Sequence, residues 1–342
     1  MMEETGPLLL HETSTWSEVE PEFSIVTATF QRNDDISKLL PSIFEHIGIE
    51  PSRYDYIVCD NCSTDGTDET VIAALKQNDH IAARYYRQHA NLGLDQNIQD
   101  VLGLARGKYV WFIADDDDIA PGVLGPLSEA VISSQLPLII VRANNIQEWD
   151  ALPLQNQTEF LIEIDPANPR WAKTLLATSF LASMVFRRDQ IEQFQPKIRG
   201  AFGTNYSPWA LGLAIMSAAQ TIGYVDTLCV LGNINFDGQN RFHHYKTLVK
   251  GRIDVWNRFS SAGVKKNLAN EMKGLSQSAW KSAAAGNMKI GASRREMVRE
   301  YSVAFDQFGA SALRSLPWAV VASALPASVR RSLNRLRKSE MQ

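Results

Sequence analysis

A chain of 342 residues, 45% hydrophobic and 21% charged, has ordinary globular composition, and its length predicts one large domain with an appendage or two domains. A formal net charge of -4 lacks the basic footprint expected of a nucleic-acid binder. Three cysteines cannot build a disulfide framework and suit a reducing compartment; Cys59 and Cys62 form a C-x-x-C without the second pair a zinc site needs, and read as incidental.

Met1 to Glu20 is acidic and lacks the basic start and apolar stretch of a signal peptide, so residues 1–20 are expected to be a tail. From Phe23 onward, strand and helix patterns alternate. Residues 23–30 (FSIVTATF) read as a strand, and 34–44 as a helix capped by Asn33 or Asp34. Tyr54 to Cys59 reads as a second strand, Ser63 to Thr67 as a turn, and 68–76 as a helix. Ala82 to Tyr86 is a third strand, and 94–104 a helix with Gly107 at its exit. Tyr109 to Ala114 is short, apolar and rich in β-branched and aromatic residues, the pattern of a buried strand. Pro121 and Gly122 then open a helix to about Ser133, and Leu136 to Val141 is a further strand. This alternation predicts an α/β fold, a mostly parallel sheet with helices on both faces.

After Val141 the pattern is irregular, with strands expected at 160–164, 184–186 and 225–230. Trp209 to Ala219 is apolar but shorter than the roughly 20 residues of a membrane span, so it reads as a buried helix. Beyond about Asn240 the chain reads as helical, near 245–260, 264–285 and 294–308. The expected division is a tail over 1–20, a sheet-bearing domain over 21–240 and a helical region over 241–342. In the last, apolar 316–325 precedes a basic amphipathic stretch, 327–338, carrying Arg330, Arg331, Arg335, Arg337 and Lys338. That order suits an anionic membrane surface, and equally a helix docked on its own domain with solvated arginines.

The chemistry concentrates at strand ends. Asp115, Asp116, Asp117 and Asp118 follow directly on the buried strand at 109–114. Adjacent carboxylates raise one another's pKa, and a hard divalent ion with oxygen ligands removes that cost; the bland alternative is a solvated acidic turn. Thr29, Phe30, Gln31 and Arg32 follow the first strand, Asp60, Asn61, Ser63 and Asp65 the second, and Asn91-Leu92-Gly93 opens the helix carrying Asn97. In an open parallel sheet these loops share one edge and can converge on one ligand.

Taken in order, FSIVTATFQR, YDYIVCDNCSTDGT, NLGLDQNIQDVLGLARGKYVWFIADDDD and IAPG resemble the family 2 glycosyltransferases over residues 23–122. The resemblance implies a GT-A fold with a C-terminal helical region. It also implies transfer of a sugar from a nucleotide-sugar donor to a glycan or lipid-linked glycan in surface polysaccharide biosynthesis. Mn²⁺ or Mg²⁺ would be the cofactor, and the enzyme would be cytoplasmic or peripheral on the inner face of the cell membrane. Asn91, Asn97 and the later Ser183 to Arg188 are similar to the group adding deoxysugars such as abequose. Carried over by position, Thr29, Phe30 and Arg32 would lie beside the base and phosphates, with Asp60 and Asn61 in the donor site. Asn61 stands where many relatives have an aspartate that reads uracil, which puts UDP in doubt and leaves dTDP and CDP sugars open. Asn91 and Asn97 would line the base and ribose. Asp116 falls at the family's metal-ligand position, with Asp117 as a second candidate that would reach the metal or the sugar, and Asp115 would reach the ribose or the metal's waters. The fourth carboxylate leaves this register open by one.

An inverting reaction needs a general base for the acceptor hydroxyl. Residues 200–211, where relatives carry an acidic pair, have none; Asp237 is the first substitute, with Asp189 and Asp226 behind it. Two other functions stay in view. A sugar nucleotidyltransferase shares the sheet type but needs a glycine-rich loop that TATFQRND lacks. A catalytically silent glycan-binding relative would explain the missing acidic pair.

Overall fold

The computed structural model describes residues 6–144, 159–232 and 251–272. The chain divides into two compact units, Met1–Asp237 with Val255–Leu268, and Gly238–Asp254 with Ala269–Gln342. Almost all described residues belong to the first.

The first unit is built on one ten-stranded sheet. In chain order its elements are β1 (Leu8–Glu12), β2 (Phe23–Thr29), α1 (Asn33–Gly48), β3 (Tyr54–Asp60), α2 (Thr67–Gln77), β4 (Ala83–Arg87), α3 (Leu94–Leu104), β5 (Tyr109–Phe112), β6 (Asp118–Ile119), α4 (Leu124–Ser134) and β7 (Leu138–Ala143). Then come β8 (Ile162–Ile164), α5 (Ala172–Ala177), β9 (Met184–Arg187), α6 (Arg188–Phe194), α7 (Ser207–Ala218) and β10 (Ile222–Leu231), followed by α8 (Arg252–Phe259) and a further helix over 262–272, whose residues 252–254 and 269–272 are assigned to the second unit. The strand order is β1-β4-β3-β2-β5-β9-β7-β10-β6, with β8 on β10.

The four strands that carry the expected loops, β4-β3-β2-β5, are mutually parallel. Their side chains alternate as a sheet covered on both faces requires. Phe23, Ile25, Tyr56, Val58 and Trp111 join one buried cluster with Ile36, Leu39 and Ile43 of α1, Val71 and Leu75 of α2, and Leu127 and Val131 of α4. On the other face α3 packs on β2 and β3 and against α6 and α7. Trp209, Leu211 and Leu213 of α7 are fully buried, as the apolar run predicts. No helix among the described residues is long and apolar enough to cross a membrane.

Two features depart from the sequence reading. The segment expected as a tail contributes β1, an edge strand antiparallel to β4, and Thr13 exchanges hydrogen bonds with Ala83. The parallel run also stops at β5: β9 pairs antiparallel with both β5 and β7. Met184, Val185 and Phe186 are buried and read correctly as a strand, but nothing local to them fixes which neighbours they separate. The expected helices at 245–260, 264–285 and 294–308, the apolar 316–325 and the basic stretch at 327–338 lie partly or wholly outside the described residues.

At the amino ends of these strands Asp55 is fully buried, 3.2 Å from Nε of Arg106, whose guanidinium stacks on Trp16 with 3.6 Å to the ring centroid. Burial outweighs the pull of Ser24 and Arg106 and pushes the Asp55 carboxyl from 3.8 up to about 6. The folded state therefore keeps a proton there that the unfolded chain loses, so this contribution to stability is complete below about pH 4 and is lost as the pH rises through 6. Urea unfolding of the native chain should lose about 2–3 kcal/mol across that window, and Asp55→Asn should flatten the dependence. An identical pH profile in the variant would place the titration elsewhere.

Candidate active site

The carboxyl ends of β2, β3 and β5 form one rim, and short bonds tie their loops together. The Asn61 amide donates to the Thr29 carbonyl at 2.9 Å, and the Gln31 amide donates to Ser63 Oγ at 2.8 Å. Gln31 takes φ 54° to make this turn. Asp60 is the pin of the second loop. Its buried carboxylate accepts from the Ser63 amide and hydroxyl and from the Tyr85 hydroxyl. Burial pushes its carboxyl up despite these bonds.

The third loop brings in the acidic run. Thr29 Oγ1 donates to Asp115 Oδ2 at 2.8 Å, joining residues 86 apart in sequence. Asp115 and Asp117 are buried, whereas Asp116 is partly open. Arg32, at the start of α1, donates from Nη1 to Asp116 Oδ2 at 2.8 Å and to Asp35 Oδ2 at 3.2 Å, and lies 3.9 Å from Asp115 Oδ1. Burial pushes the Asp115 carboxyl up to about 7, with Arg32 pulling it down and Asp116 pushing it further up. Asp118 stands apart: its Oδ1 accepts from Ser42 of α1 at 2.6 Å and from the Ile119 amide at 2.7 Å. Of the four carboxylates, Asp118 is thus the one tied to α1 through Ser42, while Asp115 and Asp116 face Thr29 and Arg32.

Asn61 and Asn91 meet directly. Asn61 Nδ2 donates to Asn91 Oδ1 at 2.8 Å, and the Leu92 amide donates to Asn61 Oδ1 at 2.8 Å. By the inventory of a carboxamide, Asn61 keeps one N–H and one lone pair for a ligand. Asn97 is bonded within the fold. It is buried, and its Nδ2 donates to the Cys59 carbonyl at 2.9 Å while Oδ1 accepts from Gln88 at 3.4 Å, so it staples β3 to α3. Asp60 and Asn97, both expected in the donor site, have polar atoms engaged inside the fold. Phe30 is half-buried beside Thr29.

Of the substitutes for a general base, Asp237 lies outside the described residues. Asp189 is held by Arg187 at 2.7 and 2.9 Å, and Asp226 accepts from the Tyr224 hydroxyl at 2.7 Å. Arg87, another cation near these loops, pairs with Asp68 at 2.8 Å and donates to the Ser63 carbonyl at 2.6 Å. Cys59 and Cys62 are both free, and burial pushes the Cys59 thiol well up, which keeps it protonated and inert.

Sequence reasoning missed Asp95. Its carboxylate, buried in the first turn of α3, accepts from the amides of Gly203 and Asn205 at 2.8 Å and of Ser207 at 2.9 Å, fixing the start of α7 beside the Asn91 loop. An aspartate in a first helical turn is an ordinary end charge, and its partners lie more than 100 residues away, so no local signal marks it.

Among the described residues, no three His, Cys, Asp or Glu side chains form a complete metal cage. The donor set still fits Mg²⁺ or Mn²⁺. These ions take hard oxygen ligands, and Mg²⁺ is commonly held by one or two carboxylates while waters and substrate phosphates supply the rest. Asp116, partly open, and its buried neighbour Asp117 are two carboxylates of that kind.

A family model described as Glycosyl transferase family 2 matches residues 24–193. The GalNAc(5)-diNAcBac-PP-undecaprenol beta-1,3-glucosyltransferase of Campylobacter jejuni is 28% identical over 109 residues, 32% of this chain and 34% of that protein. Across the curated relatives it matches, the chain spans 32–37% of their length. Among solved structures, S. aureus TarS 1-349 in complex with UDP-GlcNAc superposes with a TM-score of 0.58 at 15% identity, covering 93% of this chain and 87% of that one. The mannosyltransferase PcManGT from Pyrobaculum calidifontis, in complex with GDP-Man and Mn2+, gives 0.56 at 15% identity, covering 89% and 86%. At such identities the likeness establishes a shared GT-A fold.

Proposed function

The chain belongs to glycosyl transferase family 2, and on that premise we propose that it is a metal-dependent, inverting glycosyltransferase that moves a sugar from a nucleotide donor to a glycan or lipid-linked glycan. The observation that carries this reading is the meeting of the first loop with the acidic run. Thr29 on Asp115 and Arg32 on Asp116 bring a hydroxyl, a guanidinium and carboxylates to one rim from segments more than 80 residues apart. The nucleotide sugars in the TarS and mannosyltransferase complexes, and the Mn²⁺ in the latter, support the same ligand class.

Cleaving the bond between the sugar C1 and the phosphate leaves charge on a nucleoside diphosphate. Asp116 and Asp117 would hold Mg²⁺ or Mn²⁺, which supplies Lewis-acid stabilisation of that charge. Thr29 fixes the rotamer of Asp115, so the carboxylates keep their positions relative to the phosphates. Arg32 can add charge-assisted hydrogen bonds to phosphate oxygens. Asn61 and Asn91, locked to each other, present a fixed amide edge to the base. We keep Asp237 as the group that takes the acceptor proton while the hydroxyl attacks C1 from the face opposite the leaving diphosphate.

The carboxamide of Asn61 offers one donor and one acceptor where an aspartate would offer only acceptors, so the base has to be read by titration. A thermal-shift panel of UDP, CDP, GDP and dTDP with Mn²⁺ should single out one nucleotide. At about 100 times its dissociation constant that nucleotide stabilises the fold by roughly 2.7 kcal/mol. If none of the four raises the melting temperature, the donor site is not a nucleotide site.

A further inference from the structure

The carboxylates of the rim already have a cation, and it belongs to the protein. Among the described residues, Arg32 makes the ion pairs that reach Asp115 and Asp116. Its Nη1 is shared between Asp116 at 2.8 Å and Asp35 at 3.2 Å, so one guanidinium bridges the acidic run and the first turn of α1. Asp116 Oδ2 is therefore committed to an N–H in this state. A divalent ion on the same carboxylate would put two cations side by side, and they would repel.

We propose that Arg32 is a stand-in cation, which holds Asp116 until a divalent ion and a diphosphate load together and then releases it for the phosphates. This rests on the glycosyltransferase reading above and adds an order to the binding. Three features make the exchange feasible. The Arg32 and Asp116 side chains are 27% and 30% exposed, so neither is locked in the core. Asp35 gives the guanidinium a second anchor on α1, so it can leave Asp116 without becoming unpaired. The planar fork of arginine matches phosphate oxygens as well as carboxylate ones, so the pair lost is replaced by one of the same kind. The consequence is mutual dependence: metal alone competes with Arg32, whereas metal with a diphosphate gives Arg32 a new partner.

The test uses the full chain and three titrations by calorimetry: MnCl₂ alone, inorganic pyrophosphate alone, and pyrophosphate at saturating Mn²⁺. Arg32→Gln should bind Mn²⁺ alone about tenfold more tightly than the native chain, because the competitor is gone. The same variant should bind pyrophosphate at saturating Mn²⁺ about tenfold more weakly, because the phosphate partner is gone. Arg32→Lys, which keeps the charge, should stay near native in the first titration and fall between the two in the third. Opposite signs in the two titrations distinguish cation exchange from general damage to the site, which weakens both. Unchanged or weaker Mn²⁺ binding by Arg32→Gln, with native metal-dependent nucleotide binding intact, overturns the stand-in role alone. A native chain that binds no nucleotide with Mn²⁺ overturns the parent reading as well.

Discussion

Asp116→Ala is expected to lower sugar transfer by roughly 10³ and to remove the Mn²⁺ dependence of nucleotide binding. The size follows from what the residue does in the proposed reaction. Charge on the departing diphosphate is met by a cation held at Asp116, a contribution worth several kcal/mol, and about 4 kcal/mol corresponds to three decades of rate. Asp116 is the partly open member of the run and carries the ion pair to Arg32, so its removal leaves the fold's own contacts nearly intact. Melting temperature should therefore change little while activity collapses. Asp237→Ala is the complementary variant: it should lose transfer but retain metal-dependent nucleotide binding, since it is assigned to the acceptor. Steady-state transfer together with Mn²⁺-dependent nucleotide titration reads both. Transfer within tenfold of native in Asp116→Ala would sink the assignment of the metal to this carboxylate.

What the sequence disclosed about this site depended on how local the signal was. The β2, β3 and β5 strands are apolar runs ending in polar loops, and α/β alternation alone put those loops on one edge, where the structure has them. The acidic run was visible as a motif, yet its register was not, because four identical residues carry no local difference. What sets Asp118 apart from the other three is Ser42, 76 residues away, which ties it to α1. Asp60 and Asn97 show the converse. Their residue types suit a ligand, but each has its polar atoms satisfied inside the fold, by Ser63 and Tyr85 in one case and by Cys59 and Gln88 in the other. Residue type predicted polarity at the rim, and packing decided which of these groups are bonded within the fold. Arg32 was legible as a phosphate candidate but not as the partner of Asp116, because that pair exists only once β2 and β5 lie side by side.

Gly107→Ala is expected to be strongly destabilising, costing about 3 kcal/mol. In sequence this glycine reads as a helix exit, a role many residues fill at small cost. The structure gives it another reason. A Cβ there would sit 2.6 Å from the Ser24 nitrogen, 2.8 Å from the Phe23 carbonyl carbon and 2.9 Å from the Phe23 Cα. These are backbone atoms of β2, so no side-chain rotation relieves the clash. Retreat is blocked as well: the Gly107 and Arg106 amides both donate to Ser24 Oγ, at 2.8 and 3.2 Å, and Phe23 pairs with Tyr109 across β2 and β5. Phe23 is fully buried, with Tyr54 and Trp111 edge-on at 6.4 Å, so shifting it disturbs the core beneath the rim. Because β2 and β5 carry Thr29 and the acidic run, the same shift should spread to the site and weaken metal-dependent nucleotide binding. Gly125→Ala is the matched control. It lies in α4 with nothing within 4 Å of its would-be Cβ, so alanine there should stabilise by about 0.5–1 kcal/mol through helix propensity. Urea unfolding of the two variants should move in opposite directions, and coincident curves would mean that β2 and β5 can part at Gly107 far more easily than their hydrogen bonds imply.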